Sequence, residues 1–171
     1  MKIIFCPKND FLERNIYMAT ANDIIFPVYE LVGQSLTDIG VHHEILILRF
    51  GEYEIHVTCF ARILHNNEIL LSTQDYHSWD GKECRRNDMY RNIAIHGASL
   101  IGQTVRSIDV SPVNDLFVVM GNGARIELYN SNGNLCLTEY AEQWFFYKPK
   151  DSTYPYLSIS NMGIEREQKE S

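Results

Sequence analysis

The chain lacks long apolar runs and clustered cysteines. Its longest apolar stretches, such as residues 45–48 and 116–120, are far shorter than the roughly 18 residues needed to span a bilayer, so the sequence predicts no membrane segment. Residues 3–6 form the only apolar stretch near the N-terminus, whereas a secretory signal needs about 7 to 15 apolar residues. The four cysteines, Cys6, Cys59, Cys84 and Cys136, are widely separated. We therefore expect reduced thiols in a cytoplasmic protein.

Positive charge is also scarce. The chain has 22 acidic and 15 basic residues and a formal net charge of −7. A net negative surface repels a phosphate backbone, so we expect no direct binding of nucleic acid. The same charge suits a basic protein partner, although mild acidity also keeps many cytosolic proteins soluble. With 171 residues, 45% of them hydrophobic, the chain can form one good-sized core or two small ones that share an interface.

A six-residue motif occurs twice. Residues 31–36 read LVGQSL and residues 100–105 read LIGQTV, an offset of 69 with three identical residues. Alternating apolar residues, the pattern of one strand face, continue at the same offset: Ile39 and Val41 match Ile108 and Val110. After a loop predicted to be two residues longer in the second copy, residues 44–48 match residues 115–119 at offset 71.

Turns and further strands extend the similarity. The turn residues are 50–52 in the first copy and 121–123 in the second, where the sequence GNG accepts the positive φ of a tight hairpin. Alternating strands follow at residues 53–57 and 124–128. Fourth strands are predicted at residues 68–72 and 134–138, each followed by a tryptophan, Trp79 and Trp144.

These patterns predict an α+β fold that is predominantly antiparallel β. It contains two duplicated β-meander units, an N-terminal helix starting at Asp10 and a short central helix. The predicted segments are an N-terminal strand and helix (1–26), unit 1 (27–80), a linker with the short helix (81–98), unit 2 with a C-terminal strand (99–164) and a polar tail (165–171). The linker arginines, Arg85, Arg86 and Arg91, are interpreted as a solvated face.

No set of residues specifies a reaction. The groupings nearest to metal-ligand spacing are His42 with His43, His56 with Cys59, and Asp75 with His77. In a strand, residues one or three apart point to opposite faces, which argues against the first two. Cys59 and Cys136 stand among apolar neighbours, where cysteine is usually a small core residue. We therefore expect no catalytic residue, no metal, no cofactor and no enzymatic activity.

The segment around Trp79 is the best candidate for a protein-binding surface. Tryptophan is enriched in cores and at interfaces alike, and we favour the core for both tryptophans. The neighbours of Trp79 are nevertheless acidic and aromatic. The predicted partner-binding residues are Asp75, Tyr76, His77, Trp79 and Asp80.

Residues 31–57 and 100–128 share one order of features. Each segment has a Leu-x-Gly-Gln step, a strand, an acidic residue that opens the next strand, and a glycine turn. This pattern resembles small bacterial proteins, including immunity proteins that neutralise the toxins of contact-dependent and related polymorphic systems. The resemblance implies a cytosolic protein that binds its cognate toxin domain and blocks the active site or a necessary partner surface. Many such toxins are nucleases, and a basic nuclease domain would be steered towards an acidic surface.

A second hypothesis is a small-ligand-binding or enzymatic β domain with a pocket between the two units. Duplicated folds often place a site on their symmetry axis, where His56 and His96 would converge. A polar pocket would favour this hypothesis, and a closed core with a flat acidic face would favour the first. The pattern does not specify an oligomeric state.

Overall fold

The computed structural model describes residues 27–131, 141–160 and 163–167. The described part contains eleven strands, a 3-10 helix (Thr73–Ser78) and helix α1 (Asp88–Leu100). The strands are β1 (Leu36–His42), β2 (Ile45–Phe50), β3 (Tyr53–Val57), β4 (Phe60–His65), β5 (Glu68–Ser72), β6 (Val105–Val110), β7 (Leu116–Met120), β8 (Arg125–Tyr129), β9 (Glu142–Tyr147), β10 (Tyr156–Ser160) and β11 (Gly163–Glu167). The predicted fold class and central helix are confirmed. The predicted N-terminal helix and the strand at 134–138 lie outside the described residues.

The strands form two antiparallel sheets. Sheet A has the order β1-β2-β3-β9-β10-β11, and sheet B has the order β5-β4-β8-β7-β6. In β3 and β7 buried residues alternate with partly exposed ones, as expected when one face of a sheet meets the core. The core includes large side chains from both sheets, such as Phe50, Ile63 and Phe146.

The two copies of the six-residue motif pair with each other symmetrically. Their four backbone hydrogen bonds form two equivalent pairs related by the offset of 69: Gly33 N–H donates to Val105 O (2.9 Å) and Gly102 N–H to Leu36 O (2.7 Å), while Leu36 N–H donates to Gln103 O (2.9 Å) and Val105 N–H to Gln34 O (2.8 Å). The antiparallel bridge between Ser35 and Thr104 lies at the centre. A pseudo-two-fold axis therefore passes between these two residues, and we call this pairing the seam.

Each unit contributes strands to both sheets. Unit 1 places β1, β2 and β3 in sheet A and then crosses to sheet B with β4 and β5. Unit 2 starts in sheet B with β6, β7 and β8 and crosses to sheet A with β9 and β10. Thus β3 pairs with β9, and β8 pairs with β4. Because each sheet needs strands of both units, the units interlock and do not form separate meanders.

The register corrects the predicted offset of the second strand. Val41 pairs with Leu46, and the equivalent Val110 pairs with Leu116, so β2 and β7 match at offset 70 and not at 71. An offset of 71 would match buried Leu46 with half-buried Phe117, because a slip of one residue exchanges the two faces of a strand. The first loop of unit 2 is accordingly one residue longer, and the second extra residue lies in the following turn.

The predicted strand at residues 68–72 is present, but its place as the fourth strand and the equivalence of the two tryptophans were wrong. Strand β4 was missed, and residues 68–72 form the fifth strand. Trp144 lies within β9, opposite Val57. Its side chain is 0% exposed, and its indole N–H donates to Asn114 O (3.0 Å). Trp79 follows the 3-10 helix and is 40% exposed. The two tryptophans are therefore not equivalent, and only Trp144 belongs to the core.

Helix α1 lies against the edge strands β1 and β5, one from each sheet, and against the 3-10 helix. The side chain of Asn87 caps its first turn by accepting from Tyr90 N–H (3.2 Å), and Met89 and Leu100 are buried. The described helices are all too short or too polar to cross a membrane. Strand β11 pairs with β10 and extends to Glu167, within the segment predicted as a polar tail.

Candidate functional site

The 3-10 helix is fixed by Asp75, a predicted partner-binding residue. Ser72 accepts from Gln74 N–H (3.2 Å), and Asp75 accepts from Ser72 N–H (2.9 Å), which completes a capping box. The same carboxylate also accepts from the side-chain amide of Asn92 in α1 (2.8 Å). The carboxylate of Asp75 therefore joins the 3-10 helix to α1.

The crossover from sheet A to sheet B lies beside this helix. Thr58 N–H and Cys59 N–H both donate to the backbone oxygen of Gln143 in β9 (3.0 and 2.9 Å). On the other side, the buried hydroxyl of Thr73 accepts from Ala61 N–H (2.9 Å) and donates to Cys59 O (3.2 Å). The crossover is thus held between a strand of unit 2 and the first residue of the 3-10 helix.

A pocket of about 340 Å³ opens at this crossover. Its walls are formed by residues 58–60 of the crossover, residues 73, 74, 76 and 77 of the 3-10 helix, Glu44 of the β1–β2 loop, and Ser131 and Gln143 of unit 2. We call it the crossover pocket. Both units contribute to it, and its volume lies at the lower end of the range for small-molecule sites, roughly 300 to 1,000 Å³.

Two of the residues that line the crossover pocket, Glu44 and Gln143, carry acceptor oxygens with no partner among the described residues. Glu44 is exposed and forms no ion pair with the described residues. Gln143 is only 6% exposed, and its amide nitrogen lies 3.4 Å from the carbonyl oxygens of Ala141 and Glu142. Its Oε1 atom is buried and has no hydrogen-bond partner in the described part of the chain. The described lining contains no lysine or arginine.

The pocket also contains a cysteine, but its thiol is not activated. Cys59 is buried, as the sequence predicts. Burial raises the pKa of its thiol to about 12, so the group stays protonated at neutral pH, whereas a nucleophilic cysteine needs a lowered pKa.

Three of the other predicted partner-binding residues, Tyr76, His77 and Trp79, lie at the crossover pocket or next to it, and Asp80 follows Trp79 in the chain. Tyr76 and His77 line the pocket. The ring of exposed Trp79 lies 6.1 Å from the ring of Tyr76. Asp80 is exposed, and its carboxylate accepts from Lys82 N–H (2.9 Å). We call Tyr76, His77, Trp79 and Asp80 the rim.

No protein-family model, curated protein or solved structure matches this chain.

The histidines of the ligand-binding hypothesis lie elsewhere. His56 is on the face of sheet A that points away from the core, with Nε2 at 2.8 Å from Glu54 Oε2, and His96 is on α1. Neither belongs to the described lining of the crossover pocket. Among the described residues, no group of three or more His, Cys, Asp or Glu side chains has the arrangement of a metal site.

Partly buried ionic clusters join the strands of each sheet. Burial would raise the pKa of Glu54, but hydrogen bonds with His56, Arg49 and Tyr147 outweigh it and hold the pKa below its ordinary value of 4.5. Arg49 Nε donates to Glu54 at 2.9 Å, and the hydroxyl of Tyr147 donates at 3.1 Å.

Sheet B contains a comparable cluster. Glu127 accepts from Arg62 Nε and from the hydroxyl of Tyr129, each at 2.7 Å. Burial would raise the pKa of Glu127, but these two hydrogen bonds lower it. Neither glutamate lines the crossover pocket, where Glu44 is the carboxylate among the described lining residues.

Proposed function

We propose that the protein is a cytoplasmic immunity protein that binds a basic toxin domain through the rim, keeps that domain from its target and so neutralises it without catalysis. The observation that carries the proposal is the exposure of Trp79 beside a pocket. Exposed aromatic side chains that adjoin a cavity are typical anchors of protein interfaces, since they bury a large area at little cost in conformational entropy.

The charge of the chain agrees with a basic partner. The net charge of −7 would accelerate association with such a domain in a salt-dependent way. Glu44 and Asp80 add carboxylates at the pocket and the rim. The partner class itself comes from the sequence resemblance, and the rim is where we propose that it binds.

The test is co-expression with the toxin domain encoded next to this gene. We expect the two proteins to co-purify at moderate salt and the cells to resume growth. The substitution Trp79→Ala should weaken the affinity by roughly 30-fold or more, the size of an interface hot spot. Tyr29→Ala is a matched control, because Tyr29 is exposed to a similar extent (41%) and lies near the seam, at the other end of β1 from the pocket.

Two results would contradict the proposal. The first is that a folded, active toxin domain neither co-purifies nor loses its toxicity. The second is that Trp79→Ala and Tyr29→Ala weaken the affinity equally, because the rim would then have no special part in the interface.

A small-ligand-binding protein is the second candidate. It is favoured by the position of the crossover pocket, which both units line. Native mass spectrometry of the freshly purified protein tests it: a retained small molecule that is lost in a Phe60→Ala variant would support this candidate, and a mass equal to that of the bare chain would count against it.

A further inference from the structure

We propose that the crossover pocket receives an arginine side chain of the partner, with the guanidinium group as the recognised chemistry. The proposal rests on the proposed function, because it specifies what the toxin domain presents to the rim. It follows from the acceptors, the aromatic walls and the size of the pocket.

The first element is unpaired negative charge. Glu44 lies on the pocket wall without an ion-pair partner among the described residues, and the described lining has no basic lysine or arginine to neutralise it. A cation is therefore the complementary ligand, and a hydrogen bond to an ionised group is stronger than a neutral one.

The second element is the amide of Gln143. Turning the amide over would place its oxygen against the carbonyl oxygens of Ala141 and Glu142, so these two carbonyls orient the amide nitrogen towards themselves. Oε1 remains shielded from solvent and has no donor in the described part of the chain. A buried acceptor without a donor is costly, and rotation about the terminal side-chain torsion, which is soft, would bring it to an incoming N–H group.

The third element is the shape of the pocket. Phe60 and Tyr76 provide aromatic walls, and a planar, weakly hydrated guanidinium stacks on aromatic rings better than an ammonium does. Its five N–H groups can reach a carboxylate and an amide oxygen together. A volume of about 340 Å³ accommodates one such side chain and leaves the toxin backbone outside, over the rim.

The first experiment uses a small probe and the protein alone. N-acetyl-argininamide is titrated while the side-chain amide of Gln143 and the backbone amides of Tyr76 and His77 are followed by NMR. Millimolar binding at these groups is expected, since one side chain carries little affinity by itself. The neutral isostere N-acetyl-citrullinamide should bind at least tenfold more weakly. Equal binding of both probes would overturn the proposal, and so would micromolar binding of the free arginine probe, which would identify a small cation as the natural ligand.

The second experiment measures dissociation of the toxin domain. Glu44→Gln and Gln143→Met should each raise the dissociation rate about tenfold. Glu68→Gln is the matched control, because it changes the net charge by the same amount from an exposed site at the β4–β5 turn. It should alter only the association rate, and both glutamate variants should alter that rate equally.

The outcomes separate the two proposals. If the wild-type protein binds the toxin domain but Glu44→Gln dissociates no faster than Glu68→Gln, the pocket proposal is wrong and the immunity function stands. If the wild-type protein does not bind the toxin domain at all, the immunity function is wrong and the pocket proposal falls with it.

Discussion

The hydroxyl of Thr73 should be a main determinant of stability at the crossover. Thr73→Val keeps the shape of the side chain but removes the acceptor of Ala61 N–H and the donor to Cys59 O. Leaving a buried N–H without a partner costs about 1 to 3 kcal/mol, so we expect the free energy of unfolding to fall by about 2 kcal/mol. Thr73→Ser keeps the hydroxyl and loses one methyl group, and should cost about 1 kcal/mol or less.

Urea unfolding followed by tryptophan fluorescence measures both variants. Trp144 is fully buried, so its emission reports loss of the core. The reasoning is refuted if Thr73→Val is as stable as the wild type within about 0.5 kcal/mol, a typical effect of a surface substitution, or is more stable than Thr73→Ser. Because Thr73 also lines the crossover pocket, Thr73→Val should weaken toxin binding only as far as it disturbs the crossover.

Two further predictions concern the seam and the loss of stability at acidic pH. Gly33 and Gly102 have φ values of +89° and +86° and open space where a Cβ would stand. Alanine at either position should therefore lower the free energy of unfolding by a similar amount, about 1 to 2 kcal/mol, from backbone strain alone. Unequal losses in urea unfolding would argue against the symmetry. The lowered pKa of Glu54 means that its stabilisation is present above about pH 4.5 and is lost as pH falls through the lowered pKa. In Glu54→Gln the melting temperature should fall less steeply at acidic pH. An unchanged dependence of the melting temperature on pH would contradict this prediction.

The candidate site was only partly predictable. The segment with Tyr76, His77 and Trp79 stands out in the sequence because aromatic and polar residues are adjacent there. The roles of Glu44 and Gln143 do not, since each is an ordinary polar residue whose significance comes from the neighbours that folding supplies. The structural role of Asp75 was missed for the same reason: its second partner, Asn92, is in another helix.

The sequence by itself determined the local elements. Alternating apolar residues defined β1 to β3 and β6 to β8 within a residue or two, and the repeated Leu-x-Gly-Gln motif marked the equivalent turns where Gly33 and Gly102 need a positive φ. Such features depend on backbone preferences and on neighbours a few residues away, which the sequence contains directly.

Only the tertiary structure decided which sheet each strand joins. The local patterns of β4 and β9 are irregular, so periodicity does not distinguish a continuing meander from a crossover. The choice depends on the fit between residues that are distant in the chain. Large Trp144 lies opposite Val57 in sheet A, and small Ala61 lies opposite Leu128 at the equivalent position of sheet B. Because that fit joins residues far apart in the chain, it also decided where the crossovers meet and hence where the pocket lies.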